Sequence, residues 1–322
     1  MIVAAGRGTR LAPLTELRPK PAMPVRGVPL VAYTLALLAR HGVSETVINL
    51  HHLPDRLEQA ARDHCPSGMK LYFSREETLL DTGGGIRRVS SFLRESDPCF
   101  IVGGDMLIDA DLGALLAAHR KRGDAVTMLL RDDPRAAEFG SLGVDAAGRV
   151  RRIARRFDLG GERRAGLYTW VNVVSSRALA TLPEREVFSH LDHWIAPLLR
   201  EGAEDIRAEL ANRSECVWEP VGTPAEYLRV NLRPPALSYL DADAVARAAG
   251  VRFEEGLVIG AGATIGAGAS LRRAVVWDGE QVPEGLRGLD GVFAGGEFHS
   301  CITATEPIDS GGVGETRRDR AG

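Results

Sequence analysis

The sequence predicts an α/β protein built on a mixed, mostly parallel sheet, with a short stack of hexapeptide coils behind it. Three observations carry that expectation. Apolar runs of strand length alternate with helical segments over the first 130 residues, the pattern of successive βαβ units. The first of these runs, Ile2-Val3-Ala4-Ala5, passes directly into a glycine turn that carries cations. From Phe253 onward, apolar residues recur at every sixth position with glycines between them.

The elements follow in order. Residues 2–5 are too few for a helix and suit a buried strand. Gly6 and Gly8 come next, where a side chain would block backbone approach to a ligand, followed by Thr9, Arg10 and Lys20 among four prolines. Exposed N–H groups in such a turn form a concave anion site, and Arg and Lys add full charges. The spacing predicts a helix over 29–41, with proline in its first turn and Gly42 as its stop. A strand over 46–50, an amphipathic helix over 54–64 and a strand over 69–74 come after it. Gly83-Gly84-Gly85 opens a helix reaching Arg94, and its glycines would let backbone N–H groups come close to a ligand. A strand over 99–102 ends in Gly103-Gly104-Asp105. Asp111 caps a helix that stops near Gly123, and a fifth strand covers 125–130. In sheets of this kind ligands collect at the carboxyl ends of the strands, where both the glycine loop and Asp105 fall.

Beyond Phe139 the period shortens. A hairpin is expected around Ala147-Gly148, a strand over 168–174, a helix over 190–200 and a strand over 216–219. Six arginines crowd residues 151–164 and read as a solvated basic face. His51-His52 reads as a partly exposed strand end, because adjacent side chains leaving a strand point opposite ways. Residues 1–232 form the expected catalytic unit, 233–250 a linker, 251–300 the coils and 301–322 a polar, glycine-rich, disordered tail. The coils supply about one and a half turns, too little for a core of their own, so they are expected to dock on the catalytic unit or on another subunit.

Composition sets the outer limits. A chain of 322 residues, 44% hydrophobic and 26% charged, suits one large or two modest globular domains. A net charge of −3 gives no electrostatic case for nucleic acid, so any phosphate binding must be local. The four cysteines, Cys65, Cys99, Cys216 and Cys301, lie far apart and are expected as reduced thiols in the cytoplasm. No apolar run approaches the roughly 18–20 residues of a membrane span. Nothing at the N-terminus reads as a secretion signal.

Neither of two familiar glycine loops fits the opening stretch: position 11 is Leu11 where a dinucleotide fingerprint needs glycine, and no Gly-Lys-Ser/Thr follows. The longer string Gly6, Gly8, Thr9, Arg10, Leu11, Pro13, Leu14, Thr15 and Pro19-Lys20-Pro21 closely resembles the signature of the sugar-1-phosphate nucleotidyltransferases. The Thr82–Ile86 stretch is similar to the N-acetylmuramate-1-phosphate uridylyltransferase branch, and the hexapeptide tail to mannose-1-phosphate guanylyltransferases. The resemblance covers nearly all of residues 2–285. It implies a Rossmann-like, GT-A-like mixed-sheet domain, followed by a short C-terminal left-handed β-helix. Family members carry a few residues ahead of their first strand, which here starts almost at Met1, so a misplaced start codon is an expectation.

The resemblance also implies a chemistry: a sugar 1-phosphate attacks the α-phosphorus of an NTP, giving an NDP-sugar and pyrophosphate. Ala4, Ala5, Gly6, Gly8 and Thr9 would place the nucleotide, together with Thr82, Gly83 and Gly84. Arg10 and Lys20 would neutralise the triphosphate, and Asp105 would hold the catalytic Mg²⁺. Glu77, Gly104, Asn172 and Glu219 are expected on the substrate side. Two departures stand out. The late motif W-x-D-x-G-T-P has Trp218, Gly222, Thr223 and Pro224, but Pro220 replaces the aspartate that would be a second metal ligand. Trp170 stands where relatives have a glycine near the sugar. The expected substrates are GTP with mannose 1-phosphate or UTP with an amino-sugar 1-phosphate, and the coils could form a homo-oligomer. The alternative is a degenerate regulatory subunit that binds a nucleotide sugar without turnover.

Overall fold

The computed structural model describes residues 1–301. A ten-stranded sheet runs through the first 211 residues. Strand Ile2–Val3 lies at its centre, parallel to Glu45–Leu50 on one side and to Cys99–Gly103 on the other. Lys70–Arg75 extends it in parallel beyond Glu45–Leu50. The long strand Arg164–Val174 reverses direction against Cys99–Gly103 and makes the sheet mixed. Beyond it the sheet forks. One limb is Val126–Arg131 with Ile206–Ala211, and the other is the hairpin of Ser141–Val144 and Val150–Ile153, extended by Phe157–Asp158.

The predicted elements recur with modest shifts. Helices Leu30–Arg40, Pro54–Asp63 and Leu112–Arg122 cover the sheet, and the Asp111 carboxylate accepts from Ala114 N at 2.9 Å as the cap of the last. Central strands are buried on both faces, which explains their near-continuous apolar runs. A second pairing joins Met106–Asp109 antiparallel to Val217–Pro220, with Pro220 opposite Met106. A two-stranded edge tolerates a proline because few ladder bonds depend on its missing N–H.

The coil region is larger and more firmly attached than the sequence indicates. Leu257 pairs with Ala274, Ser270 with Arg287 and Thr264 with Gln281, all in parallel, so one coil takes 17 residues. Three hexads would take 18. The rungs continue to Ala294, past the point where the six-residue apolar period fades at Trp277. Antiparallel strands Arg252–Glu254 and Glu297–Ser300 close the two edges. The segment expected as a linker contains a helix, Ala242–Ala248, capped by Asp241 and tied back by the Arg26–Asp243 ion pair. The polar tail lies outside the described residues, except for Cys301, which is buried.

The coils dock on the sheet-bearing unit of the same chain. Leu14, Met23, Val25, Tyr227 and Val230 form one apolar cluster with Val258, Val275, Trp277 and Val292. Tyr227 OH donates to Pro24 O at 2.6 Å and accepts from Trp277 Nε1 at 2.9 Å. Arg18 lies over the Trp277 ring and pairs with Asp278 at 2.8 Å.

Candidate functional site

A cleft of about 350 Å³ opens at the carboxyl ends of the central strands. Its lining includes Gly6, Gly8, Thr9 and Arg10 from the first loop, Lys20, Thr82, Asp105, Trp170 and Gly222. A space of about 420 Å³ between the catalytic unit and the coils is larger, but none of these residues reaches it. The smaller cleft is the candidate site: two cations, Arg10 and Lys20, and the Asp105 carboxylate converge there.

The glycine loop is shaped by contacts beneath it. Gly8 has φ of 62°, and a Cβ there would lie 3.1 Å from the Thr15 methyl and 3.2 Å from Lys20 Cβ. Only glycine combines that backbone with that approach. Gly6 has nothing within 4 Å of its missing Cβ, so its outer face is open. Ala4 N donates to Asn49 Oδ1 at 2.7 Å, Asn49 Nδ2 donates to Glu76 Oε1 at 2.8 Å, and Leu80 N donates to Glu76 Oε2 at 3.1 Å. This buried chain of bonds ties the first loop to the start of the Asp81–Arg88 helix. His52 Nε2 lies 2.6 Å from Thr15 O and His51 Nδ1 3.0 Å from Glu76 O, so both imidazoles brace loops.

Lys20 and Asp105 meet at the cleft floor, Nζ to Oδ2 at 2.7 Å. The lysine side chain is 10% exposed and the carboxylate 49% exposed, so the cation is held from below while the carboxylate faces the opening. A buried cation costs less when paired, and this pair holds the Lys20 ammonium beneath the glycine loop. Arg10 is exposed at the rim, with an NH2 nitrogen 3.0 Å from where a Gly222 Cβ would stand. Gly222 and Thr223 N–H groups both donate to Glu226 Oε2, the capping box of helix Pro224–Leu232.

Several expected ligand residues are placed otherwise. The N–H groups of Gly83 and Gly84 both donate to Phe188 O, at 2.8 and 3.3 Å. A Cβ on Gly83 would lie 2.2 Å from the Phe188 ring, and one on Gly84 2.1 Å from Glu186 O. These glycines admit the segment 186–188 of the same chain, which already occupies both N–H groups. Of that helix start, Thr82 alone lines the cleft. Glu77 is exposed and outside the lining, and its neighbour Glu76 is the buried, bonded carboxylate. Ala5 and Gly104 are buried under the cleft, where a Gly104 Cβ would meet the Ile2 side chain at 2.7 Å. Asn172 is buried, donating to Ile101 O at 3.1 Å and accepting from Tyr168 OH at 2.8 Å. Glu219 turns away to Arg229 at 2.6 Å and Arg135 at 3.3 Å.

Sequence reasoning missed His190. Its backbone N–H donates to Thr82 Oγ1 at 3.0 Å, ring Nδ1 lies 2.8 Å from the same oxygen, and Nε2 lies 3.1 Å from Tyr168 OH. Burial pushes the imidazole down to about 4, so it is neutral at pH 7. Burial also pushes the Tyr168 phenol well above its ordinary range. A histidine in the mixed run Ser189-His190-Leu191-Asp192-His193 carries no sequence signal for this role.

No group of three or more His, Cys, Asp or Glu residues that could hold a metal occurs among the described residues. Among the described residues that line the cleft, Asp105 is the one carboxylate. That fits a hard cation of the Mg²⁺ type, which takes one or two protein carboxylates and completes its shell with phosphate oxygens and water.

Fold and cleft together define an α/β protein of the class that binds nucleotide phosphates at strand ends. The chain belongs to the nucleotidyl transferase family, whose model matches residues 1–234. It is 32% identical over 304 residues to a mannose-1-phosphate guanylyltransferase of Mycobacterium tuberculosis, covering 88% of this chain and 81% of that protein. It is 40% identical over 115 residues to an N-acetylmuramate alpha-1-phosphate uridylyltransferase of Neisseria meningitidis, covering 35% of this chain and 49% of that protein. The crystal structure of HddC from Yersinia pseudotuberculosis complexed with GMP-PN shares the fold, with a TM-score of 0.58 and 21% identity over 71% of this chain and 96% of that one.

Proposed function

We propose that this chain is a sugar-1-phosphate nucleotidyltransferase, with GTP and mannose 1-phosphate as the leading pair. The observation that carries the reading is the Lys20–Asp105 pair set under the open Gly6–Gly8 loop in one cleft. In the reaction a phosphate oxygen of the sugar 1-phosphate forms a bond to the α-phosphorus. The bond from that phosphorus to the bridging oxygen breaks, and pyrophosphate leaves with the electron pair. Such chemistry needs positioning and charge neutralisation more than a strong base. Loop N–H groups around Gly6 and Gly8 would seat the triphosphate, and Lys20 and Arg10 would offset its charge. Asp105 would hold Mg²⁺, which when bound would supply further neutralisation of phosphate charge.

Similarity along 88% of the chain to a guanylyltransferase supports the guanine and mannose pair. The uridylyltransferase likeness spans only 35% of the chain, so UTP with an amino-sugar 1-phosphate ranks second. The named relatives are transferases, and nothing among them favours the regulatory alternative. The coils fit a short left-handed β-helix, whose outer face, with Leu289 53% exposed, would be the surface for a homo-oligomer. No helix among the described residues is long and apolar enough to cross a membrane, and the four free cysteines suit a reducing cytoplasm.

The test is turnover. Purified protein with Mg²⁺ is incubated with each NTP and a panel of sugar 1-phosphates, and pyrophosphate and NDP-sugar are quantified. GDP-mannose formation is the expected result. Tight NDP-sugar binding with no turnover of any pair would overturn the reading in favour of a non-catalytic subunit.

A further inference from the structure

Trp170 has a backbone that a tryptophan should avoid. Its φ is 63°, in the left-handed region, where a bulky side chain crowds its own carbonyl. The distortion is built in. Between Tyr168 opposite Leu130 and Asn172 opposite Met128, the Arg164–Val174 strand spends four residues where its partner spends two. Thr169 Oγ1 donates to Leu129 O at 2.8 Å and pins the bulge. Bulges of this kind re-aim a side chain, and here the one re-aimed is Trp170, toward the cleft. Neighbours make room for it. A Cβ on Gly103 would lie 3.1 Å from Trp170 Cβ, so glycine there allows the approach. The indole packs on the His190 ring with centroids 4.7 Å apart and on Tyr168 at 5.4 Å. The same His190 holds the Thr82 hydroxyl, the polar group on the adjoining wall.

Glycine would adopt this backbone without strain and would leave the cleft wider. A strained residue that persists against an easier one marks a functional constraint. Resting on the transferase reading above, we infer that Trp170 is a specificity-determining wall for the sugar. By narrowing the cleft beside Asp105 and Thr82, it admits an unsubstituted hexose 1-phosphate and excludes one carrying an N-acyl group. An aromatic face also suits the C–H face of a hexose ring, giving contact without directional demands.

Trp170 provides its own reporter. Trp194, Trp218 and Trp277 are buried, at 3%, 5% and 2% exposure, and Trp170 is the one tryptophan left partly open. The experiment compares wild type and Trp170→Gly on mannose 1-phosphate and N-acetylglucosamine 1-phosphate. Ratios of kcat/KM are measured for turnover, and dissociation constants come from indole fluorescence in the wild type and calorimetry in both. Wild type is expected to favour the unsubstituted hexose. Trp170→Gly is expected to lower that preference at least about tenfold, the scale set by one steric pocket wall. NTP affinity should change less than about twofold, and the melting temperature is expected to fall, because the lost indole packing on both apolar clusters outweighs the released strain. An unchanged sugar preference in a folded Trp170→Gly variant overturns the inference, as does a wild type that prefers the N-acyl sugar. If neither form turns over, the function reading fails, and the binding ratios alone decide this inference by the same criterion.

Discussion

At the residue scale the cleft rests on few charges. Lys20 is held by Asp105 at 2.7 Å with little solvent around it, so it loses no orientation freedom when phosphate arrives. Lys20→Ala is expected to lower kcat at least about a hundredfold, the cost typical of losing one preorganised contact to developing charge. Circular dichroism and thermal melting should show the variant folded. Glu219 gives the opposite expectation. Because it is engaged by Arg135 and Arg229 and lies outside the cleft lining, Glu219→Ala should leave the Mg²⁺ dependence of activity unchanged. A raised Mg²⁺ requirement in that variant would show that it replaces the carboxylate Pro220 lacks. His190 sets a pH dependence. Burial lowers its folded pKa to about 4 against about 6.5 unfolded, so below pH 6.5 the unfolded chain binds more protons. Stability from this group is therefore complete above about pH 6.5 and declines as pH falls toward 4. Urea unfolding at pH 7.5 and pH 5 should differ by about 2 kcal/mol from this residue. His190→Gln should flatten that difference.

At the element scale the start of the Asp81–Arg88 helix is decided by a neighbour. Its glycines match a ligand-approach motif, yet the Phe188 carbonyl takes their N–H groups and the Phe188 ring covers Gly83. Gly83→Ala should destabilise the protein by about 2 kcal/mol or more, because overpacking here would displace backbone as well as a ring. Chemical denaturation measures it. A Gly83→Ala variant of normal stability but raised NTP KM would restore the ligand role. The Asp133 carboxylate shows how strands are clamped nearby. Burial opposes its charge, but hydrogen bonds from Arg135 outweigh that and hold it down at about 2. It joins Arg131, Arg135, Glu219 and Arg229 into one ion-pair chain linking the end of the Val126–Arg131 strand to the Val217–Pro220 strand.

At the scale of the whole molecule, two units share a core that neither could bury alone. Trp277 is 2% exposed, bonded to Tyr227 and covered by Arg18. Trp277→Ala should cost about 3–5 kcal/mol, the range for deleting a buried large aromatic. Removal of everything from Asp241 onward would uncover Leu14, Val25, Tyr227 and Val230 together, a contiguous apolar surface. Aggregation or loss of soluble protein is the expected outcome, read by size-exclusion chromatography. A soluble, fully active truncation would show that the docked coils are dispensable.

Local signals determined much of this protein from its sequence alone. Alternating apolar runs and glycine stops specify the βαβ order, since strand and helix periods are properties of neighbouring residues. The Gly6-to-Pro21 string, with Lys20 inside it, is legible as a cleft-lining loop from its glycines and prolines alone. Asp105 was legible because it ends an apolar strand. Tertiary structure decided what depends on distant partners. Gly83 faces residue 188 and Gly84 residue 186, Glu219 faces residues 135 and 229, and Asn49 reaches both residue 4 and residue 76. The coil repeat of 17 residues, its extension to Ala294 and its seat against Tyr227 follow from packing between rungs and across units. No six-residue period encodes those contacts. Trp170 lies between the two cases: its identity departs visibly in the sequence, but the bulge that aims it into the cleft comes from pairing with a strand some forty residues away.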